Sequence, residues 1–429
     1  MPVIERLAAR EILDSRGRPT VLALCKLAGV ELCSASVPSG ASTGSAEAHE
    51  LRDGDPRRYQ GLGCRKAVAN INVELNRALI SHEFANQTEL DRTLVELDGS
   101  PDKSRLGANA ILAVSVAFAR SMAAASGIPL WQLFATLTDS APRTLPRLTI
   151  NLFSGGRHAG GQVAIQDVML VPLTASSIDE SLSMTYDVYQ AAAQLALERF
   201  NMRLLRADEG GLAPPFRSSA EMIEAAVTAI QSAGYMPGKH FALAIDVAAT
   251  EFYSDNLYKL DGEALDSQAM IDRLKHWVER YPIVSVEDGL SEEDWQNWPG
   301  FKRAIGQRCL LIGDDFLCTN RSRIARAIEA DSANALLLKV NQVGTLTEAA
   351  EAYLLARSAG WAVTVSVRSG ETEDDWAADL SVGWQAEFFK NGSITQSERL
   401  AKYNRLLEIE QTTHWPLRPW STPQKSDAT

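Results

Sequence analysis

The amino-acid sequence predicts an α/β protein in which a small α+β domain, residues 1–138, precedes a closed (β/α)8 barrel, residues 139–429. Three observations carry this. The leading segment mixes alternating strand patterns with helical ones. From Leu145 onward, short apolar runs alternate with amphipathic helical stretches, the signature of a parallel sheet with crossover helices. Charged residues then close successive apolar runs at intervals of 25 to 41 residues, comparable to the roughly 30 residues that one βα unit of an eight-fold barrel occupies.

In the first domain, Pro19–Leu27 and Glu31–Val37 alternate apolar and polar residues and read as half-buried strands. The Ala-rich run Ser104–Ser126 reads as a largely buried helix ended by Gly-Ile-Pro. The barrel strands follow as FALAID, IVSVED, LLIGDD, ALLLKV and AVTVSV. Asp246, Glu287, Asp314 and Lys339 close the first four and Arg368 follows the fifth. Such residues at the carboxyl ends of successive strands converge on one mouth, where barrels of this kind place their chemistry. The tail Thr413–Thr429 holds prolines that argue against a helix, and Trp415 and Trp420, which suggest docking.

Composition bounds the function. A chain of 429 residues can bury a large core, and 45% hydrophobic with 22% charged residues is ordinary for a folded globular protein. The 42 basic and 54 acidic residues leave a net charge of −12, without long like-charge blocks; no nucleic-acid partner is expected. Cys25, Cys33, Cys64, Cys309 and Cys318 lack zinc or redox spacing, which suits a reducing compartment. No apolar N-terminal leader core and no run near the ~20 residues of a bilayer span is visible, so the expectation is a cytoplasmic protein without a membrane partner.

Singly, an Asp or Glu after a strand is more simply a helix N-cap or turn former. Three carboxylates on neighbouring strands repel one another unless a cation lies among them, and an all-oxygen set suits a hard divalent ion such as magnesium. Lys339, between Leu338 and Val340 in a buried strand, is costly if idle. Desolvation and neighbouring cations are expected to lower its pKa toward that of a general base.

Nine segments, in order, resemble the enolase family from Glu11 to about Glu410: EILDSRGRPT, ASVPSGASTGSAEAHELRDGD, KAVANIN, LGANAILAVS, DEGGLAPP, DVAATEFY, LLLKVNQVGT, RSGETEDDW and SERLAKYN. The resemblance implies an N-terminal α+β capping domain on a modified (β/α)8 barrel, a homodimer, and two magnesium ions (Mg2+). Lysine or histidine bases with magnesium are this superfamily's route to an ene-diolate. Carried over, Asp246, Glu287 and Asp314 bind one magnesium, and Ser39 lies on a mobile loop that helps bind the second. Lys339 is the base, and Glu209 the acid that assists the departing 3-hydroxyl. His158 reaches the substrate phosphate, Gln166 lies near the substrate, and Arg368 with Ser369 forms the phosphate clamp. Glu287 and Asp314 also face the substrate.

The departures from the family pattern concern the substrate. Asp167 stands where the family has glutamate in the acid-side pair, and Val367 where it has histidine in SHRSGET. GSITQSERLAKYN replaces GQIKTGAPxRSERLAKYN, which reads as Thr395 in place of a lysine followed by a five-residue deletion; Lys390, five residues earlier, is not expected to substitute. Arg157 replaces a small residue beside His158. These changes predict a remodelled pocket for a phosphorylated or phosphonate small molecule like 2-phosphoglycerate or phosphoenolpyruvate. The leading expectation is formation of carboxyphosphonoenolpyruvate, as in diverged relatives of phosphonate natural-product pathways. A phosphopyruvate hydratase of weakened activity and a non-catalytic binding protein are the alternatives.

Overall fold

The structure is a computed structural model that describes residues 2–203 and 205–420. Its N-terminal part is a three-stranded antiparallel sheet, β1 (Ile4–Leu13), β2 (Pro19–Leu27) and β3 (Cys33–Ser36), in that order. β2 matches the predicted strand, whereas β1 escapes pattern reading because Glu5, Arg6, Arg10 and Glu11 interrupt its apolar residues. Pairing with β2 along its length holds it. Helices α1 (Arg65–Ala69), α2 (Asn76–Leu79), α3 (Gln87–Asp98), α4 (Ala108–Ser126) and α5 (Leu130–Leu137) complete this part. α4 begins at Ala108 rather than Ser104 because Gly107, at φ 98°, lies outside helical geometry. It is long and apolar enough to cross a membrane, contrary to the sequence expectation, but is mostly buried inside the molecule as a core element.

The second part is a closed eight-stranded barrel. Its strands are β4 (Arg147–Ser154), β5 (Asp167–Pro172), β6 (Phe241–Asp246), β10 (Ile283–Glu287), β11 (Leu310–Gly313), β12 (Ala335–Leu338), β13 (Ala362–Ser366) and β14 (Phe388–Lys390); a small hairpin sheet, β7 (Tyr253–Ser254), β8 (Leu257–Leu260) and β9 (Glu263–Leu265), lies outside it. The helices are α6 (Ile178–Phe200), α7 (Ser219–Ser232), α8 (Ser267–Arg280), α9 (Trp298–Ile305), α10 (Arg321–Glu329), α11 (Leu346–Ser358), α12 (Trp376–Gly383) and α13 (Ser397–Thr413). One expectation is corrected: the sheet is not wholly parallel, because β5 runs antiparallel to both β4 and β6. The loop between β4 and β5 carries no crossover helix, and a parallel partner would need one. The reversal brings the N-terminal residue of β5, Asp167, to the same rim as the last residue of β6, Asp246, with which it pairs.

Opposite that rim, Trp420 packs against Phe388, ring centroids 5.8 Å apart, beside Met169, Val171, Ala242 and Ala244. Trp415 meets Trp131 at 5.0 Å. The tail as far as Trp420 thus docks away from the loop at Thr395; its remainder, 421–429, lies outside the described residues. All five cysteines are free. The N-terminal part meets the barrel through Arg120, which donates to Asp374 and Asp375 at 2.6 Å, and through Asp91, which accepts from the backbone and hydroxyl of Thr347.

Candidate active site

Polar side chains crowd the carboxyl rim. Glu287 pairs in register with Asp246, Asp314 directly follows β11, and Lys339 directly follows β12. The last residue of β14 completes the group. Lys390 Nζ donates to Asp246 Oδ2 at 2.8 Å and to Glu287 Oε1 and Oε2 at 2.8 and 2.7 Å, all three side chains being buried.

Lys390 overturns the reading that the site lost a lysine. Laid without a gap over Glu387–Asn404 and anchored on SERLAKYN, the family segment GQIKTGAPxRSERLAKYN puts its lysine on Lys390; nothing is deleted. Thr395 instead donates its hydroxyl to the Gly210 carbonyl at 3.0 Å and spaces two loops. The signal was present: FFK is an apolar run closed by a charged residue, the same pattern that singled out Lys339.

Lys339 Nζ donates to Asp314, whose other oxygen accepts from Gln342 Nε2 at 2.8 Å. The expected lowering of its pKa is not found. Burial acts in that direction, but the charge of Asp314 outweighs it and raises Lys339. Burial, with the charges of Asp246 and Asp314, pushes Glu287 well above the usual carboxylate range. A further negative charge is therefore expensive here and a cation is welcome.

That is the test of fit for magnesium. The Lys390 ammonium already stands as a cation between Asp246 and Glu287, and the donor set is carboxylate oxygen throughout, as a hard divalent ion requires. Asp314 lies in a tighter group with Asp288 and Asp315, their nearest oxygens within 4.8 Å of one another. Sequence reading missed Asp288. It accepts from the backbone N–H groups of Asp314 and Asp315 at 2.9 and 2.7 Å and so sets the loop that carries Asp314. Gln166 also belongs here, donating to Asp246 Oδ2 at 3.2 Å, while its own Oε1 is buried without a protein partner.

The acid side is a second buried group, His158, Asp167 and Glu209. Asp167 accepts from Ser154 Oγ at 2.5 Å and holds His158 Nδ1 at 2.9 Å; His158 Nε2 lies 3.8 Å from Glu209, which accepts from Asn151 Nδ2 at 3.0 Å. Burial alone would lower His158, but Asp167 and Glu209 outweigh it and raise its pKa to about 9. Burial would raise Glu209, yet His158, Arg399, Lys390 and Lys339 hold it down to about 2. Both carboxylates therefore favour a protonated His158, whose Nε2 faces Glu209. Asp167 is spent on fixing the imidazole.

The remaining expected residues are engaged elsewhere. Ser39 Oγ donates to Glu50 at 3.2 Å and accepts from Arg52 at 2.7 Å, although its backbone bonds to Gly370 beside Arg368. Arg368 is paired with Glu47. Ser369 Oγ accepts from Arg16 at 3.1 Å. Arg157 pairs with Glu251 at the surface and adds no charge inside. Val367 is buried in the apolar core. Arg399, unnoticed beforehand, is fully buried and donates to the carbonyls of Arg368 and Ser369 at 2.8 and 2.7 Å, while Lys402 and Tyr403 tie α13 to the Thr372 and Gly392 carbonyls at 3.0 Å. The SERLAKYN motif is thus the clamp that holds the loops after β13 and β14.

Two family models match this chain. The enolase N-terminal domain matches residues 4–134, and the enolase C-terminal TIM barrel domain matches residues 142–414.

Proposed function

The chain belongs to the enolase family, and from that premise we propose that it is a magnesium-dependent lyase-type enzyme that removes the proton alpha to the carboxylate of a 2-phosphoglycerate-like substrate and stabilises the resulting enolate. The observation that carries this reading is the pair of buried rim lysines, Lys339 and Lys390, set against Asp246, Glu287 and Asp314. A proton alpha to a carboxylate is weakly acidic because its loss adds charge to an anion. Lys339 accepts it, and Lys390 presents fixed positive charge to the enolate, the kind of preorganised interaction that strengthens in the transition state. Asp246, Glu287 and Asp314 would hold one magnesium and Ser39 would help hold the second; when bound, the metal supplies positive charge to the substrate carboxylate and offsets the Asp314 charge that keeps Lys339 protonated. His158, oriented by Asp167, gives its proton to the oxygen that leaves C3, and Glu209 remains the anion that stabilises the imidazolium.

The product divides two finer readings. Formation of carboxyphosphonoenolpyruvate is supported by the substitutions at Asp167, in the acid-side pair, and at Val367, where the family has a histidine. A cleft of about 760 Å³ beside the His158 loop, lined by Arg157, Arg217 and Lys259, also offers room for a larger co-substrate. Phosphopyruvate hydratase activity is the second reading, and Lys390 favours it. We take the protein as a cytoplasmic homodimer acting on a free small molecule, without nucleic-acid or membrane partners, following the family resemblance and the dispersed acidity.

Steady-state dehydration of 2-phosphoglycerate with magnesium decides between them. Turnover near the usual enzyme median of ~10 per second establishes the hydratase and overturns the specialised reading. Far slower dehydration, with product formed from nucleotide-activated phosphonoformate and either 2-phosphoglycerate or phosphoenolpyruvate, supports carboxyphosphonoenolpyruvate formation. Absence of both turnover and C2 proton exchange in heavy water leaves a binding protein.

A further inference from the structure

Arg368 and Glu47 form an ion pair with side chains only 3% and 7% exposed. The guanidinium meets the carboxylate with two donors, Nη1 to Oε2 at 2.8 Å and Nη2 to Oε1 at 3.2 Å. Oε1 also accepts from the Gly44 backbone N–H at 3.1 Å and from Gln342 Nε2 at 3.4 Å. A guanidinium fork, a main-chain N–H and a carboxamide converging on one anion form the donor set suited to a phosphoryl or phosphonate group. Here a carboxylate of the N-terminal part fills it.

The segment carrying Glu47 is seated directly on the arginine. Nη2 donates to the Ser42 carbonyl at 2.7 Å, and a Cβ on Gly40 would lie 2.0 Å from that nitrogen, so only glycine permits the approach. The loop between β3 and the helices has no regular secondary structure over residues 40–46. A cavity of about 400 Å³ adjoins the pair, lined by Ser39, Glu47, Asn341 and Arg368 among others.

We infer that Glu47 is a built-in competitor for the anion site of Arg368: its carboxylate and the anionic group of the substrate take turns on the guanidinium. This rests on Arg368 being the phosphate clamp. Substrate binding then displaces the Glu47 carboxylate from the guanidinium, so the position of that side chain reports whether the anion site is filled. Such a device sets the apparent affinity for the anion, because only the fraction of molecules with Glu47 disengaged can bind it.

The test is calorimetric titration of the full chain, with magnesium supplied, using inorganic phosphate as the probe. Glu47→Gln is expected to bind phosphate about tenfold more tightly, the gain that follows if the carboxylate occupies the site about nine-tenths of the time. Glu47→Asp, which keeps the charge but breaks the two-point fit, is expected to lie between, and it supplies the answer if Glu47→Gln does not fold. Phosphate should also raise the melting temperature of Glu47→Gln by more than that of the parent, since the left-over guanidinium gains a partner. Arg368→Lys should weaken phosphate binding both in the parent and when combined with Glu47→Gln. Equal or weaker phosphate binding by the Glu47 variants, with Arg368→Lys still harmful, overturns the competitor and leaves the clamp standing. Phosphate affinity indifferent to Arg368→Lys overturns the clamp and the competitor together.

Discussion

A buried ammonium between two carboxylates is tolerable only while each charge has its partner, which gives Lys390 a measurable signature. Lys390→Met leaves Asp246 and Glu287 uncompensated, a loss of about 3–5 kcal/mol by comparison with other broken buried pairs. Magnesium should restore part of the lost melting temperature if those carboxylates hold it. The same variant should lower turnover by about 10²–10³-fold, as removal of a transition-state donor does. Thr395→Ala, which removes only a loop hydrogen bond, should change turnover by no more than about twofold, an energy within ±0.5 kcal/mol; the reverse ranking would return the catalytic role to position 395. His158 sets a pH dependence. Its pKa is raised to about 9 from an ordinary 6.5, so its contribution is complete below about pH 6.5 and is lost as pH rises through 9. Chemical denaturation should show stability falling by about 3 kcal/mol between pH 6.5 and 10, and most of that slope should vanish in His158→Gln.

Among the elements, β5 and α13 matter most to the site. An antiparallel strand within the barrel lifts Asp167 to the rim from the start of a strand and not the end, so a search for carboxylates at strand ends could not place it. The resemblance alone singled it out. α13 works through its carbonyl contacts: Arg399, Lys402 and Tyr403 bond the loops after β13 and β14. Helix starts follow ordinary capping, as at Ser177, whose hydroxyl accepts from the Glu180 N–H at 2.9 Å. Ser177→Ala should cost about 1 kcal/mol in urea denaturation. Trp420 seals the end of the barrel opposite the rim against Phe388. Trp420→Ala should cost about 1 kcal/mol, the scale of an aromatic contact made by a partly buried ring, while leaving the KM for substrate unchanged.

For the whole molecule, the decisive junction is between the N-terminal part and the barrel. Asp91 is its buried hub, accepting from Gln87 and Ser115 on its own side and from Thr347 at the start of α11. Asp91→Ala strands those donors and should destabilise the protein by about 3 kcal/mol, seen as a lower melting temperature. The Glu47–Arg368 pair crosses the same junction. Local pattern was enough to identify β2 by its alternation, the buried α4 by its Ala-rich run, and strands β6, β10, β11, β12 and β13 with Asp246, Glu287, Asp314 and Lys339 as apolar runs closed or followed by a charged residue, because each signal lies within one short segment. Ordered motifs were enough to identify the family. Tertiary structure alone decided the direction of β5, the partner that occupies Arg368, the placement of Lys390 between Asp246 and Glu287, and the raised pKa of His158 between Asp167 and Glu209. Those depend on side chains 9 to 321 residues apart in the chain, and pKa and pairing are set by the charges that folding brings within a few ångströms, which no local stretch of sequence contains.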